Sequence, residues 1–130
     1  MISMGKFTFR KEERLTKEKN IQELFEKGSS FYLFPFKVFF RSHPESTHPV
    51  HQVLISVSKK NFKKAVDRNL IKRRMRESYR LQKQSLPDLP KVWIGYIYSH
   101  HEILKLEDMK KKMLQTFTRL SKISGAADRI

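Results

Sequence analysis

A chain of 130 residues has room for one domain, and 38% hydrophobic content with ten Phe, four Tyr and one Trp builds only a modest core. Twenty-eight Lys and Arg against thirteen Asp and Glu leave a net charge of +15, an excess that repels itself in a compact state unless a polyanion or counterions offset it. The absence of cysteine excludes disulfides and thiolate metal sites, and no window approaches the roughly 18 apolar residues that span a bilayer. Nucleic acid is the usual partner for such a charge, because neutralising phosphates releases condensed counterions. A membrane surface is the rival, and it calls for a basic amphipathic segment with an unpaired apolar face.

Met1 to Arg10 is too polar and too short to hold the apolar stretch of a signal peptide, which together with the missing cysteines sets the expectation of a cytoplasmic protein. From Thr16 to Lys27 the pattern is helical, with Ile21, Leu24 and Phe25 at spacings of three and four. Thr16 is the expected cap, Leu15 packs back on the first turn, and Gly28 stands where the helix stops. Ser29 to Arg41 is dense in aromatic and β-branched residues and reads as strand, with Pro35, which cannot donate to a ladder, marking a break or an edge. Ser42 to Pro49 is a polar turn. Val50 to Ser58 alternates, placing Val53, Ile55 and Val57 on one face and Leu54, Ser56 and Ser58 on the other. Lys63 to Ser85 is the longest helical stretch, Lys91 to Ser99 a short apolar strand, and Leu106 to Ile123 a last helix with Met109, Met113, Leu114, Phe117 and Leu120 at helical spacing. The expected layout is one α+β sandwich over residues 1–123, followed by a flexible tail at 124–130.

Residues Lys59 to Arg80 read KKNFKKAVDRNLIKRRMRESYR, and ten of them are basic. On a helix turning about 100° per residue, Arg68, Asn69, Lys72, Arg73, Arg76 and Arg80 fall within an arc of roughly 140°. Leu70, Ile71, Met75, Ser78 and Leu81 take the opposite side, interrupted by Arg74. A merely solvated face interleaves Glu with Lys at four-residue spacing, and this arc has almost no such acid. Arg prevails over Lys from Arg68 onward, and its planar fork suits phosphates and base edges. The residues therefore point to nucleic acid. No helix-turn-helix pair, zinc spacing or heptad zipper argues for DNA, whereas aromatic strands suit a sheet on which unpaired bases stack.

At Val57 to Arg80 the chain resembles the bacterial ribonuclease P protein family. That signature runs from a Ser-Lys-Lys strand end into Arg-Asn-Arg, then Ile-Lys-Arg and a later Arg-Glu. Arg68 and Asn69 match its first two positions, and Ile71, Lys72, Arg73, Arg76 and Glu77 match those that follow. Leu70 departs from it, standing where the motif has its second arginine. Arg14-Leu15 resembles an Arg-Leu pair before the first helix, and Ile21 and Phe25 fall at a Phe-x-x-x-Phe pair, with Ile21 a second departure. The tail from Ser121 matches nothing.

The resemblance implies an α-β-β-β-α-β-α order with a left-handed βαβ crossover, as in the second domain of ribosomal protein S5. It implies membership of a tRNA 5′-processing endonuclease whose RNA subunit hydrolyses the phosphodiester with Mg2+, while the protein binds no cofactor of its own. The partners implied are that RNA subunit and the single-stranded 5′ leader of precursor tRNA, with no membrane and no obligate protein partner. Carried over by position, Lys59, Lys60, Lys63, Lys64, Arg68, Asn69, Lys72, Arg73 and Arg76 would face the RNA subunit. Arg14, Lys17, Ile21, Phe25 and Phe39 would line the leader cleft; for Phe25 and Phe39 ordinary core packing is the competing reading. Phe36, Val38, Phe40, Val53, Ile55 and Val57 would be core.

No protein-held chemistry is legible. His43, His48, His51, His100 and His101 lack carboxylate partners at ligand spacing, the acids near the first helix do not converge as a two-metal site requires, and Glu77 reads as a local ion pair. Two alternatives stay open on the residues alone: a ribosomal or assembly protein with a similar RNA surface, and a DNA-binding regulator, which would need a dimer seam that the chain does not evidently carry.

Overall fold

Among the described residues of the computed structural model, three α-helices and four strands follow one another as α1 (Glu18–Lys27), β1 (Ser29–Leu33), β2 (Phe36–Ser42), β3 (Gln52–Val57), α2 (Ala65–Gln82), β4 (Val92–Tyr98) and α3 (Leu106–Asp128). The structure describes residues 9–45, 47–87 and 90–128, with side chains inside α3 as far as Ile123. Most of the stretch weighed as a signal peptide and the side chains of the expected tail lie outside the described residues.

The sheet order is β1-β2-β4-β3. β1 pairs antiparallel with β2, and β2 with β4, whereas β3 runs parallel to β4. α2 is the crossover that a parallel neighbour requires. The result is the expected α+β order. Pro35 marks the break foreseen, since Leu33 pairs with Phe36 across the tight turn of a β1–β2 hairpin.

Period-two alternation assigns the two faces of the sheet. Phe36 and Val38 of β2, Val53 and Val57 of β3, and Ile94, Tyr96 and Tyr98 of β4 are buried under Ile71, Met75 and Tyr79 of α2 and Met109, Met113 and Phe117 of α3. Phe40 and Ile55 pack at its margin. On the other face a smaller cluster joins Leu15, Leu24 and Trp93. β4 is apolar nearly throughout because both of its faces are covered. Its buried hydroxyls are satisfied: Tyr96 donates to Thr116 Oγ1 at 2.6 Å, and Thr116 donates onward to the Met113 carbonyl.

Three local expectations need correction. Thr16 does not cap α1; the helix begins at Glu18 with Lys17 at the cap position and no side-chain capping bond. The cause is tertiary: the Leu15 N–H donates to Val53 O at 3.0 Å, Arg14 bridges Val53, and the chain stays extended beside β3 before it can turn. The buried face of α2 includes Tyr79, only 1% exposed, whereas Leu70 and Leu81 are half-buried at its margins. And α3 continues past Ile123 to Asp128. Gly28 ends α1 as expected, for a reason of space: a Cβ there would run into the carbonyl oxygens of Leu24 and Phe40.

Candidate nucleic-acid interface

The basic segment begins where β3 ends. The Lys60 N–H donates to Ser58 Oγ at 3.1 Å and the Phe62 N–H to Ser58 O at 3.2 Å, so the turn closes over a buried Phe62. Lys59, Lys60, Lys63 and Lys64 are left exposed around it. α2 then starts at Ala65 without a side-chain cap, so the positive end of its dipole opens among four lysines.

Along α2, Asn69, Arg73 and Arg76 are exposed at spacings of four and three, with Lys72 half-buried on their flank. Ile71, Met75, Ser78 and Tyr79 hold the other side in the core. Three arginines are otherwise engaged. Arg68 Nη1 donates to the carbonyls of Phe62 and Lys63, both at 2.8 Å, and so ties the turn to the helix it precedes. Arg74, the cation on the apolar side, donates to Leu104 O at 2.7 Å and links α2 to the loop before α3. Arg80 donates to both carboxylate oxygens of Glu77, at 3.1 and 2.7 Å; this hydrogen bond holds the Glu77 carboxyl below its ordinary range. Of these three arginines only Arg80 pairs with a carboxylate, so the exposed positive charge runs from the four lysines of the turn to Arg76.

A second surface lies on the opposite face of the sheet. α1 docks there through Leu24, fully buried over Gly95. A Cβ on Gly95 would stand 3.1 Å from Leu24 Cδ2, 3.6 Å from Phe39 Cβ and 3.8 Å from Phe25 Cε1, so the bare glycine sets how closely the helix approaches. Ile21 and Phe25 fall on one flank of Leu24, and Asn20 and Glu23 on the other. Phe25 meets Phe39 edge to face with centroids 4.8 Å apart. Phe25 remains 37% exposed and Phe39 half-buried, so the pair is packed yet still presents ring surface. On the far flank, Glu23 lies 2.6 Å from Arg41 of β2 and pins the helix.

Cross-strand register orders this face in three rows: Arg41, Trp93 and Gln52; then Ser30, Phe39, Gly95 and Leu54; then Tyr32, Lys37, Ile97 and Ser56. α1 covers the first two over Arg41, Trp93, Phe39 and Gly95, leaving Ser30 exposed. The third is open, with Tyr32 and Lys37 exposed and Ile97 and Ser56 half-buried.

Of the five residues read as one cleft, Ile21, Phe25 and Phe39 gather around Leu24 and Gly95, while Arg14 and Lys17 line a groove at the start of α1, Lys17 one turn before Ile21. Arg14 turns back to Phe9, donating to its carbonyl at 3.3 Å with the guanidinium carbon 5.3 Å from the ring centroid. That groove, of about 570 Å3, is walled by Asn20, His43, His48 and Gln52 and floored by Trp93. Gln52 organises that wall: its Oε1 accepts from Trp93 Nε1 at 3.0 Å and from His43 Nε2 at 2.9 Å. Because the Glu45 N–H donates to His43 Nδ1, the proton of a neutral His43 sits on Nε2. Burial lowers the pKa of this imidazole.

Sequence reasoning missed Lys37, Arg41 and Tyr32. The signal for the first two was present, since placing Phe39 on the cleft face places residues 37 and 41 there as well. Tyr32 needed the hairpin register, and Gly95 showed only as a lone glycine in an apolar strand. Among the described residues no group of three His, Asp or Glu side chains gathers to hold a metal ion, and no helix is long and apolar enough to cross a membrane.

A family model described as Ribonuclease P matches residues 9–121. The chain is 39% identical over 126 residues to the ribonuclease P protein component of Porphyromonas gingivalis, covering 93% of this chain and 92% of that protein. Among solved structures, the RNase P protein of Staphylococcus aureus superimposes with a TM-score of 0.69 at 26% identity, covering 85% of this chain and 95% of that one. The RNase P protein from Thermotoga maritima does so with a TM-score of 0.69 at 27% identity, over 82% and 96% of the two chains.

Proposed function

The chain belongs to the ribonuclease P protein family, and on that premise we propose that it is the protein subunit of a tRNA 5′-processing ribonuclease P, with its two surfaces serving two RNAs. The observation that carries this reading is their segregation: a cationic surface and an aromatic one lie on opposite faces of a single sheet. The surface at Lys59, Lys60, Lys63, Lys64, Asn69, Lys72, Arg73 and Arg76 docks on the catalytic RNA. Its strength comes from phosphate neutralisation and falls steeply with salt. Arg68 acts there chiefly by holding the lysine turn in shape, and the uncapped first turn of α2 adds backbone N–H groups for a phosphate.

The aromatic surface takes the single-stranded 5′ leader of precursor tRNA. Bases stack on Phe25 and Phe39 beside Ile21, each stacked base adding about 1–3 kcal/mol. Mature tRNA has no leader and forfeits that free energy, so the holoenzyme prefers the precursor. Lys17 and Arg14 stand at the near end of α1, where they add positive potential rather than ring contact. Phosphodiester hydrolysis belongs to the RNA subunit and the Mg2+ ions it holds. The protein contributes binding and orientation, and it acts where that RNA is, in the cytoplasm.

The test is leader release from a precursor tRNA by a bacterial ribonuclease P RNA at low magnesium, with and without this protein. Cleavage with both present, and none with the protein alone, is the expected result. A protein that binds the RNA yet leaves its rate and its precursor affinity unchanged would be a general RNA-binding protein instead.

A further inference from the structure

The open third row of the sheet continues the aromatic surface past the edge of α1. Tyr32 on β1 stands directly opposite Lys37 on β2. Both point away from the main core, because their neighbours Phe31, Phe36 and Val38 are buried in it. Tyr32 is 53% exposed, the largest exposed fraction of any Phe, Tyr or Trp described. Lys37 reaches back toward the second row, with its Nζ 5.4 Å from the centroid of Phe39. Phe39 in turn meets Phe25. The sequence in space is thus ring, ring, cation, ring: Phe25, Phe39, Lys37, Tyr32.

The spacing suits a nucleic-acid strand. Tyr32 and Phe39 are diagonal neighbours on adjacent antiparallel strands, which places the two residues roughly 7–8 Å apart, about the reach of one unstacked nucleotide. A cation between two rings is where the linking phosphate would fall. The backbone beneath is anchored, since Arg119 of α3 donates to the Tyr32 carbonyl and its guanidinium carbon lies 4.4 Å from the centroid of Phe31. A platform of this kind loses little conformational freedom when it binds. Neither residue supports the core, so burial does not account for a tyrosine and a lysine here.

We propose that Tyr32 and Lys37 form an additional nucleotide subsite of the single-stranded RNA surface, with the Tyr32 ring stacking the base next to the one on Phe39 and Lys37 holding the phosphate between them. The subsite rests on the leader-binding reading above and sets how many leader nucleotides this protein senses. Stacking on an exposed ring is tolerant of base identity, so the subsite adds reach more than sequence preference.

The experiment measures precursor affinity of the reconstituted holoenzyme with leaders lengthened one nucleotide at a time, for the wild type, Phe39→Ala, Tyr32→Ala, Tyr32→Phe and Lys37→Ala. The wild type is expected to gain affinity in successive steps as the leader grows. Tyr32→Ala should keep the earlier steps and lose a later one, weakening long-leader precursors about ten-fold; Tyr32→Phe should behave as wild type. Lys37→Ala should lower the salt dependence for long leaders by about one phosphate contact and leave short leaders unchanged. A Tyr32→Ala effect that is absent, or equal at every leader length and in mature tRNA, overturns the subsite. A wild type that gains nothing from any leader overturns the leader-binding reading itself, so the two failures are distinct.

Discussion

The two faces of the sheet present opposite solutions to RNA binding. On the helical side, the segment from Lys59 to Arg76 gathers its cations from one contiguous run of sequence, and tertiary structure does little except bury Ile71, Met75 and Tyr79 beneath them. On the α1 side, no single segment holds the site. Phe25 comes from a helix, Phe39 and Lys37 from β2, and Tyr32 from β1; Phe25 meets Phe39 because Leu24 sits on a bare Gly95, and Tyr32 meets Lys37 through the β1–β2 register. The first surface acts through charge, which is long in range and screened by salt. The second acts through ring contact, which is short in range and nearly indifferent to salt. One protein can therefore hold its RNA subunit by one force and sense its substrate by another.

The largest effect should come from the charged face. Replacing Arg73 and Arg76 together by Ala is expected to weaken binding of the RNA subunit by about 3 kcal/mol and to reduce the slope of log affinity against log salt by about two contacts, with the melting temperature unchanged because both side chains are exposed. Filter binding over a salt series measures this; an unchanged slope would place the RNA elsewhere.

Next comes the ring face. Phe39→Ala should cost precursor affinity about 1–3 kcal/mol while mature tRNA binding and the salt slope stay as they were. If mature tRNA weakens equally, Phe39 is a packing residue and the comparison collapses on that side.

Arg68→Ala sharpens the contrast within the basic helix. Its Nη1 bonds to two carbonyls of the lysine turn, so its loss should lower folding stability by about 1–2 kcal/mol, visible in denaturant melts without any RNA. Arg73→Ala in the same assay should change nothing measurable.

The smallest effect concerns His43 beside α1. Burial keeps its imidazole neutral, with a pKa below the ordinary value of 6.5. The folded state then binds fewer protons than the unfolded one, so this contribution is intact above pH 6.5 and is lost as pH falls from there through the lowered folded pKa. Protonation would also take Nδ1 from the Glu45 N–H. Melts between pH 7.5 and 5 should show a decline that His43→Gln removes.

How much of this was legible in the sequence follows the same division. The fold order and the basic helix were readable because each depends on local periodicity, and Asn69, Arg73 and Arg76 are exposed as the helical arc requires. The failures all involve partners outside the periodicity of a single element. Thr16 is a sound cap by composition but is overruled by the pairing of Leu15 with Val53. Arg68 lies in the arc by angle, yet its guanidinium finds carbonyls in the preceding turn. Arg14 precedes α1 as the motif requires, and its contact with Phe9 was not legible because it depends on the extended entry beside β3. Tyr32 becomes a neighbour of Lys37 only through the hairpin register, which no single-segment pattern contains.

The most direct test of the account is a salt titration that follows two quantities in one preparation: the affinity of this protein for a ribonuclease P RNA, and the ratio of precursor to mature tRNA affinity in the assembled holoenzyme. The first is expected to fall by orders of magnitude between low and moderate salt, while the second changes by no more than about one phosphate contact's worth. If the ratio fell in step with the affinity, the leader would be held by charge and the two faces would not be physically distinct.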